Sequence, residues 1–372
     1  MSWCLESNDY VELRTTPYGG RSLFAVRDIP LGARIHSSQA PFAHVIYKDY
    51  RREVCAQCFV YAASDLAPPE VCRSRVWSVK WALQGLPGAS AAWFCSEGCR
   101  KAWEQDGSGP LQVQLDANLT KAQVASRRKG KSMNVISLSF GPEEKITQEI
   151  IDEAWKTIEV LAASKSQLAA YCTTLDLEDM ELEIARSLVF AIVRQYVSDQ
   201  VHDTSEPDKH IGHVRFETWS HFLQLQNNEL RNVQERPYIL SAHLRIYAFL
   251  CNTLPTHLKP YLSTVRDVLA RDTGNAFGIW DRDRRDEMFG WGIWISASYF
   301  NHSCTPNVRK VRRARALHFE TSRPVLAGEE LCISYVDTDQ ILQQRRRDLQ
   351  TSWFFTCSCD RCERESSFEI DH

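Results

Sequence analysis

The sequence predicts an α+β fold, and three observations carry that prediction. Residues 10 to 46 alternate apolar and polar positions and break at "TPYGGRS" and "PLGAR", the pattern of short strands joined by tight turns. Between 143 and 271 the spacing changes: "EEKITQEIIDEAWKTIEVLAASKSQLAAY", "LEDMELEIARSLVFAIVRQYV", "ETWSHFLQLQNNELRNV" and "SAHLRIYAFLCNTL" repeat apolar residues every three or four positions, which predicts four or more helices. Beyond Gly274, "FGWGIWISASYF", "VRKVRRARALHFET" and "GEELCISYVD" return to strand texture. The helical block therefore reads as an insertion between two strand-rich parts of one β architecture. An irregular, cysteine-bearing insert, "VCAQCF" to "FCSEGCRKAW", interrupts the first of those parts.

Composition narrows the function. The 372 residues are 44% hydrophobic and 24% charged, enough for a large core in one elaborated domain or two tightly joined ones. A formal net charge of −3 argues against a chain held mainly by nucleic-acid phosphates or an anionic membrane. No apolar run approaches the ~20 residues a membrane span needs, and "MSWCLESNDYVELR" lacks the order of a secretion signal. A soluble, intracellular protein is expected, without membrane contact. The basic stretches "RRKGK" (127–131), "RKVRRAR" (309–315) and "QQRRRD" (343–348) read as solvated surface, because no aromatic ladder accompanies them.

Thirteen cysteines in such a chain point to thiolates on metal rather than disulfides. Cys55 and Cys58 form C-x2-C, and Cys95 and Cys99 form C-x3-C. Each pair lets one turn of backbone offer two sulfurs to one ion, so the four suit a tetrahedral zinc. Cys357, Cys359 and Cys362 supply three ligands, and spacing leaves the fourth open, with Cys304 in "NHSCTPN" the candidate. Isolated cysteines at 4, 72, 172, 251 and 332 read as small buried hydrophobes.

"NHSCTPN", "GEELCISYVD" and "FTCSCDRCE", in that order, resemble the core and cysteine-rich tail of SET-domain lysine methyltransferases. The inserted finger makes the chain similar to the SET-and-MYND (SMYD-type) branch. "YGGRSLFAVRDIPLGARI" is similar to the family's first strand pair. The resemblance implies small curved sheets with a pseudoknot, in which the Asn-His segment threads beneath a neighbouring loop. It divides the chain into an N-terminal SET part (10–48), a degenerate MYND-like finger (49–106), a helical linker and insertion (107–272), the C-terminal SET core (273–338) and a zinc-binding post-SET tail (339–372). A MYND finger holds two zincs through four ligand pairs. Here the second pair is reduced to Cys72 at best, and neither Cys nor His occurs between Cys99 and Cys172, so one zinc is expected in the finger and two in the chain.

The resemblance also implies S-adenosylmethionine as methyl donor. Carried onto this chain, its site comprises Gly20, Arg21, Asn275, Ser298, Asn301, His302, Tyr335 and Phe355, with Tyr335 catalytic and Cys304 the fourth ligand of the tail zinc. By themselves, a histidine such as His302 suits a satisfied core position and a strand tyrosine suits packing; it is the whole motif that assigns them to the cofactor pocket. Two positions depart from the family pattern. Ser22 replaces a glycine and would be strained at positive φ, and Trp353 stands where a tyrosine is common. The chain continues only ten residues past Cys362, so without the branch's helical C-terminal domain a more open cleft is expected. "GIWDRDRRDEMFGWGIW" either lines the peptide groove or forms a simple hairpin.

These readings predict a monomeric, cytoplasmic or nuclear protein-lysine N-methyltransferase acting on histone or non-histone proteins. The alternative is a catalytically weak SET scaffold whose finger binds protein partners.

Overall fold

The computed structural model describes residues 10–17, 20–63, 69–83, 91–129, 145–173, 175–202, 218–281 and 287–370. It opens with the antiparallel hairpin β1 (Val11–Thr16) and β2 (Gly20–Ala25), followed by β3 (Arg34–Ser38) and β4 (Ala43–Ile46). The insert carries α1 (Pro69–Ser74), a hairpin of β5 (Val79–Ala82) and β6 (Ala91–Phe94), and α2 (Glu97–Gln105). Helices follow: α3 (Ser108–Lys129), α4 (Gln148–Ala163), α5 (Lys165–Cys172), α6 (Asp179–His202), α7 (Trp219–Phe222), α8 (Glu229–Glu235), α9 (Tyr238–Thr253) and α10 (Thr264–Asn275). The chain returns to strands in β7 (Ala276–Trp280), β8 (Met288–Ile293), β9 (Val308–Arg313) and β10 (Ala316–Thr321), then ends in α11 (Leu342–Trp353) and α12 (Asp360–Ile370).

Sheet pairing explains how the two strand-rich parts become one body. One sheet has the order β3-β10-β9 and another β4-β8-β7, both antiparallel. Each therefore joins an early strand to late ones, and the helical block is an excursion between them. Among the described residues no helix is long and apolar enough to cross a membrane.

Three local readings gain detail and one needs correction. α3 begins well before residue 143, where the apolar periodicity starts. Its buried face includes Gln123 and Ser126, which donate to the Leu177 and Leu175 carbonyls, so polar residues dilute the helical pattern. "EEKITQEIIDEAWKTIEVLAASKSQLAAY" is two helices, divided at Ser164, whose backbone is extended. "ETWSHFLQLQNNELRNV" is likewise two short helices. Residues 223–228 between them dock on α10 instead, with Asn228 N–H donating to the Ala270 carbonyl at 2.8 Å and Asn228 Nδ2 to that of Thr273 at 2.8 Å.

Finally, "GEELCISYVD" starts in a turn at Gly328 and makes only isolated bridges, at Glu330 and Ile333, instead of a strand ladder, because its backbone groups bond to different neighbours. Leu331 N–H reaches the Leu23 carbonyl, Ile333 N–H that of Asn301, and the Cys332 carbonyl takes the Val308 N–H. The segment is laced through the molecule rather than laid along one partner.

Burial separates three cores. The largest unites the sheets and helices. A small one in the insert gathers Cys55, Ala62, Trp77, Ala92, Phe94 and Trp103, and a third in the tail gathers Cys304, Leu342, Leu349, Cys357 and Cys362. Cores this small do not sustain a fold unaided. Both contain cysteines of the predicted metal groups.

Two outcomes follow for stability. An added Cβ at Gly290, in the middle strand of its sheet, would lie 1.9 Å from the Val45 carbonyl oxygen, which is backbone and cannot yield cheaply. Gly290→Ala should cost about 1–3 kcal/mol or more, read as a lowered urea midpoint. Burial also keeps His36, His44 and His243 neutral, lowering the first and last to about 4. The unfolded chain, with histidines near pH 6.5, binds more protons than the folded one between those values, so stability falls as pH drops from about 6.5 toward 4. Melting across that range should show the loss, and the double variant His36→Gln/His243→Gln should reduce it, with His44 sustaining the remainder.

Candidate active site and sulfur clusters

A cleft of about 870 Å³ opens where the start of β2, residues 223–228, residues 301–307 and the end of α11 converge. Gly20, Arg21, Asn275, Ser298, Asn301, His302, Tyr335 and Phe355 all line it. Each position has a local cause. Gly20 opens β2 at φ 72°, a conformation glycine adopts without penalty, and nothing lies within 4 Å of where a Cβ would project. Arg21 donates to the side chain and carbonyl of Gln224, and its guanidinium lies 4.9 Å above the Tyr299 ring. Asn275 ends α10 and donates from Nδ2 to the carbonyls of Arg271 at 2.8 Å and Gln226 at 3.1 Å. Its own carbonyl accepts from Ser298 Oγ at 3.2 Å.

Two asparagines brace the segment that carries Tyr335. Asn301 Nδ2 donates to Glu330 Oε1 at 2.9 Å, while Asn307 donates to the Glu330 carbonyl and accepts from Cys332 N–H, both at 2.8 Å. Sequence reading passed over Asn307, although it closes the same motif. It also missed Asn228, which lines the cleft and keeps Oδ1 buried with no partner among the described residues. That oxygen is an acceptor available to an N–H donor.

Tyr335 stands among aromatic rings, with centroids of Trp353, His302 and Phe355 at 5.2, 5.4 and 6.5 Å. Its hydroxyl donates to the Phe300 carbonyl at 2.7 Å, and its backbone N–H donates to His302 Nδ1 at 3.0 Å. Burial pushes the phenol's pKa up, with Cys332 and Glu330 acting the same way, so the hydroxyl keeps its proton. Because Nδ1 accepts, neutral His302 carries its hydrogen on Nε2, which lies 3.3 Å from Cys304 Sγ. Burial, and then Arg345, lower this imidazole to about 4. α11 stops at Phe354, held left-handed at φ 63° and donating its N–H to the Gln350 carbonyl. A non-glycine there costs on the order of 1 kcal/mol, and the turn sets both Trp353 and Phe355 on the cleft wall.

The cysteines assemble as two quartets, Cys55, Cys58, Cys95 and Cys99 in the finger and Cys304, Cys357, Cys359 and Cys362 in the tail, each with all sulfurs within 4.8 Å of one another. Zinc–sulfur bonds of about 2.3 Å place tetrahedral sulfurs about 3.8 Å apart. The observed Cys58–Cys95, Cys95–Cys99 and Cys304–Cys362 separations of 3.5, 3.4 and 3.5 Å lie close to that. Four thiols without a carboxylate are a soft set that fits zinc. Ser96 caps α2 by accepting from Cys99 N–H, which fixes the second finger pair. A hydrogen bond with Cys55 is the largest cause holding Cys95 and Cys99 below the ordinary thiol range; Cys58 adds to it at Cys95, and Cys95 opposes it at Cys99. Cys72, on α1, belongs to neither quartet; Cys172, Cys251 and Cys332 are buried, and Cys4 lies outside the described residues.

The solvated reading of the basic runs holds only in part. Arg345, from "QQRRRD", is 1% exposed and donates to sulfurs of the tail quartet. Arg315 is half-buried against the finger, 5.8 Å above the Phe59 ring and donating to Gln57 Oε1. Arg309 and Arg313 pair with Glu320, and Arg127 with Asp176; residues 130 and 131 lie outside the described residues. Ser22 is also corrected: it sits in the β1–β2 ladder opposite Arg14 and is not among the positive-φ residues, so its substitution for glycine brings no positive-φ strain, while its Oγ is buried with no partner among the described residues. β7 and β8 form the hairpin allowed for the Trp-rich stretch, of which residues 282–286 lie outside the described residues. A second cavity of about 140 Å³, between the finger and α3, contains none of the cleft residues.

A family model described as SET domain matches residues 20–336. The chain belongs to the SET-domain family. This SET-domain protein is 27% identical to a Saccharomyces cerevisiae protein named as the potential protein lysine methyltransferase SET6, over 97% of this chain and 96% of that one. A SET and MYND domain-containing protein of Dictyostelium discoideum is 37% identical over 27% of this chain, which spans 26% of that protein's length. The histone-lysine N-methyltransferase SET5 of Yarrowia lipolytica is 37% identical over 22% of this chain and 19% of its own.

Metal analysis should find two zinc ions per chain. Cys304→Ser should remove one of them and leave the finger's in place, whereas three ions per chain would require ligands beyond these quartets.

Proposed function

We propose that this SET-domain protein is an S-adenosylmethionine-dependent protein-lysine N-methyltransferase, with Tyr335 at the reacting centre. The observation that carries the reading is the convergence of the eight predicted cofactor residues on one cleft. The chemistry of the lining fits the donor. Asparagine amides and backbone groups suit adenine, ribose and amino-acid ends, the unpartnered Asn228 oxygen suits an ammonium, and aromatic faces attract a sulfonium cation. When bound, S-adenosylmethionine supplies an electrophilic methyl group on sulfur.

The residues of the chain then have to align a neutral amine. Tyr335 gives its only hydroxyl hydrogen to the Phe300 carbonyl, so its oxygen is free to accept from the amine N–H. It is not a base, since burial pushes its pKa up and the phenol already keeps its own proton. The lysine proton must leave to water, favoured by desolvation of the ammonium. Trp353 and Phe355 flank the tyrosine and exclude solvent. Fixing the amine is enough for large acceleration, since misplacement by about 1 Å costs on the order of 100-fold.

The relative named as a potential lysine methyltransferase, similar along almost the whole chain, supports the same reading. We further read the insert as a MYND-like finger with one zinc, the substrate as a protein lysine, and the location as nuclear or cytoplasmic. The scaffold reading loses only the positive-φ argument at Ser22.

Calorimetric titration with S-adenosylmethionine separates the readings: binding is expected, and none at near-millimolar concentration would favour the scaffold. Tyr335→Phe should bind the donor within about twofold of wild type yet lose at least about 100-fold in methyl transfer to labelled lysate proteins. Unchanged turnover would remove Tyr335 from the mechanism.

A further inference from the structure

We propose that Arg345 is the resident counter-cation of the tail metal site, donating N–H···S hydrogen bonds to Cys304 and Cys362, and that the charge it neutralises is what allows the site to sit buried behind the cleft. A zinc ion with four thiolates carries two formal negative charges. Burying uncompensated charge is strongly unfavourable. Three of the four sulfurs come from buried residues, so solvent cannot supply the whole compensation.

Arg345 meets the need from α11. Its Nε lies 3.3 Å from Cys304 Sγ and its Nη2 3.8 Å from Cys362 Sγ. The rest of the guanidinium is also bound, with Nη1 donating to the Gln340 carbonyl and Nη2 to Glu365 Oε2, each at 2.5 Å. Glu365 in turn pairs with Arg361, so the carboxylate that holds Arg345 is itself balanced. A planar fork can address two sulfurs, a carbonyl and a carboxylate together; a lysine ammonium cannot.

The contact reaches the cleft. Cys304 Sγ lies within reach of Arg345 Nε and His302 Nε2, both at 3.3 Å, and His302 Nδ1 holds the Tyr335 amide. Arg345 is therefore a positioning residue acting through a sulfur. The inference rests on the metal reading of the tail quartet, not on methyl transfer.

Zinc release from the purified two-zinc protein to a pyridylazo-resorcinol dye tests it. Two phases are expected, and Cys304→Ser identifies the tail phase by its loss. Arg345→Met should speed the tail phase about 10- to 100-fold with the finger phase unchanged, while Arg345→Lys, keeping charge without the fork, should fall between. In cadmium-113 spectra of the substituted protein, one of two resonances should move in Arg345→Lys and the other stay fixed. A tail phase within twofold of wild type in Arg345→Met, or an unmoved tail resonance in Arg345→Lys should the methionine variant not fold, overturns the proposal while leaving the metal reading intact. A wild-type chain with no tail zinc overturns both.

Discussion

Ile333 is clamped by one short stretch of neighbouring chain: its N–H donates to the Asn301 carbonyl, and its own carbonyl accepts the Ser303 N–H, both at 2.9 Å. Everything at the cleft depends on that crossing. On one side of it lie Asn301, His302 and Cys304; on the other, Glu330, Cys332 and Tyr335. Buried backbone hydrogen bonds are expensive to leave unmade, so the two segments cannot separate without cost. Asn307 and Asn301 reinforce them from the flanks. A tyrosine two residues from such a clamp is held far more tightly than one on a free loop.

The cleft thus has a rigid back and a more varied front. The back is the crossing with the tail quartet behind it, joined through His302. The front comes from the helical excursion, which contributes Asn228 and Asn275 by hydrogen-bonding the break after α7 onto α10. Substitutions in this front would alter what is admitted while leaving the crossing alone.

How much of this could be read from residues follows from how local each signal is. The cysteine pairs were legible because metal ligands recur at fixed short spacing, and "NHSCTPN" because several polar types stand together. Alternation and helical periodicity located the strand-rich ends and the helical middle. The lacing of "GEELCISYVD" was not legible as such, because its hydrogen bonds go to Leu23, Asn301 and Val308, partners distant in sequence. α3 lies inside the expected helical linker, but its bounds gave no apolar period because Gln123 and Ser126 are buried polar residues on its inner face. Arg345 escaped for a related reason: an arginine in a basic run looks solvated until the fold brings sulfurs to it.

The division into three cores has a consequence for how the molecule comes apart. The finger and the tail each depend on a handful of side chains and four sulfurs, whereas the main body has a broad apolar interior. Such a chain should open as separate cooperative units, and oxidants or chelators would act on the two small ones first. Because Cys304 belongs to the tail unit and its neighbour His302 to the cleft wall, the tail could not open without loosening the grip on Tyr335, so redox damage in the tail would be felt in the cleft.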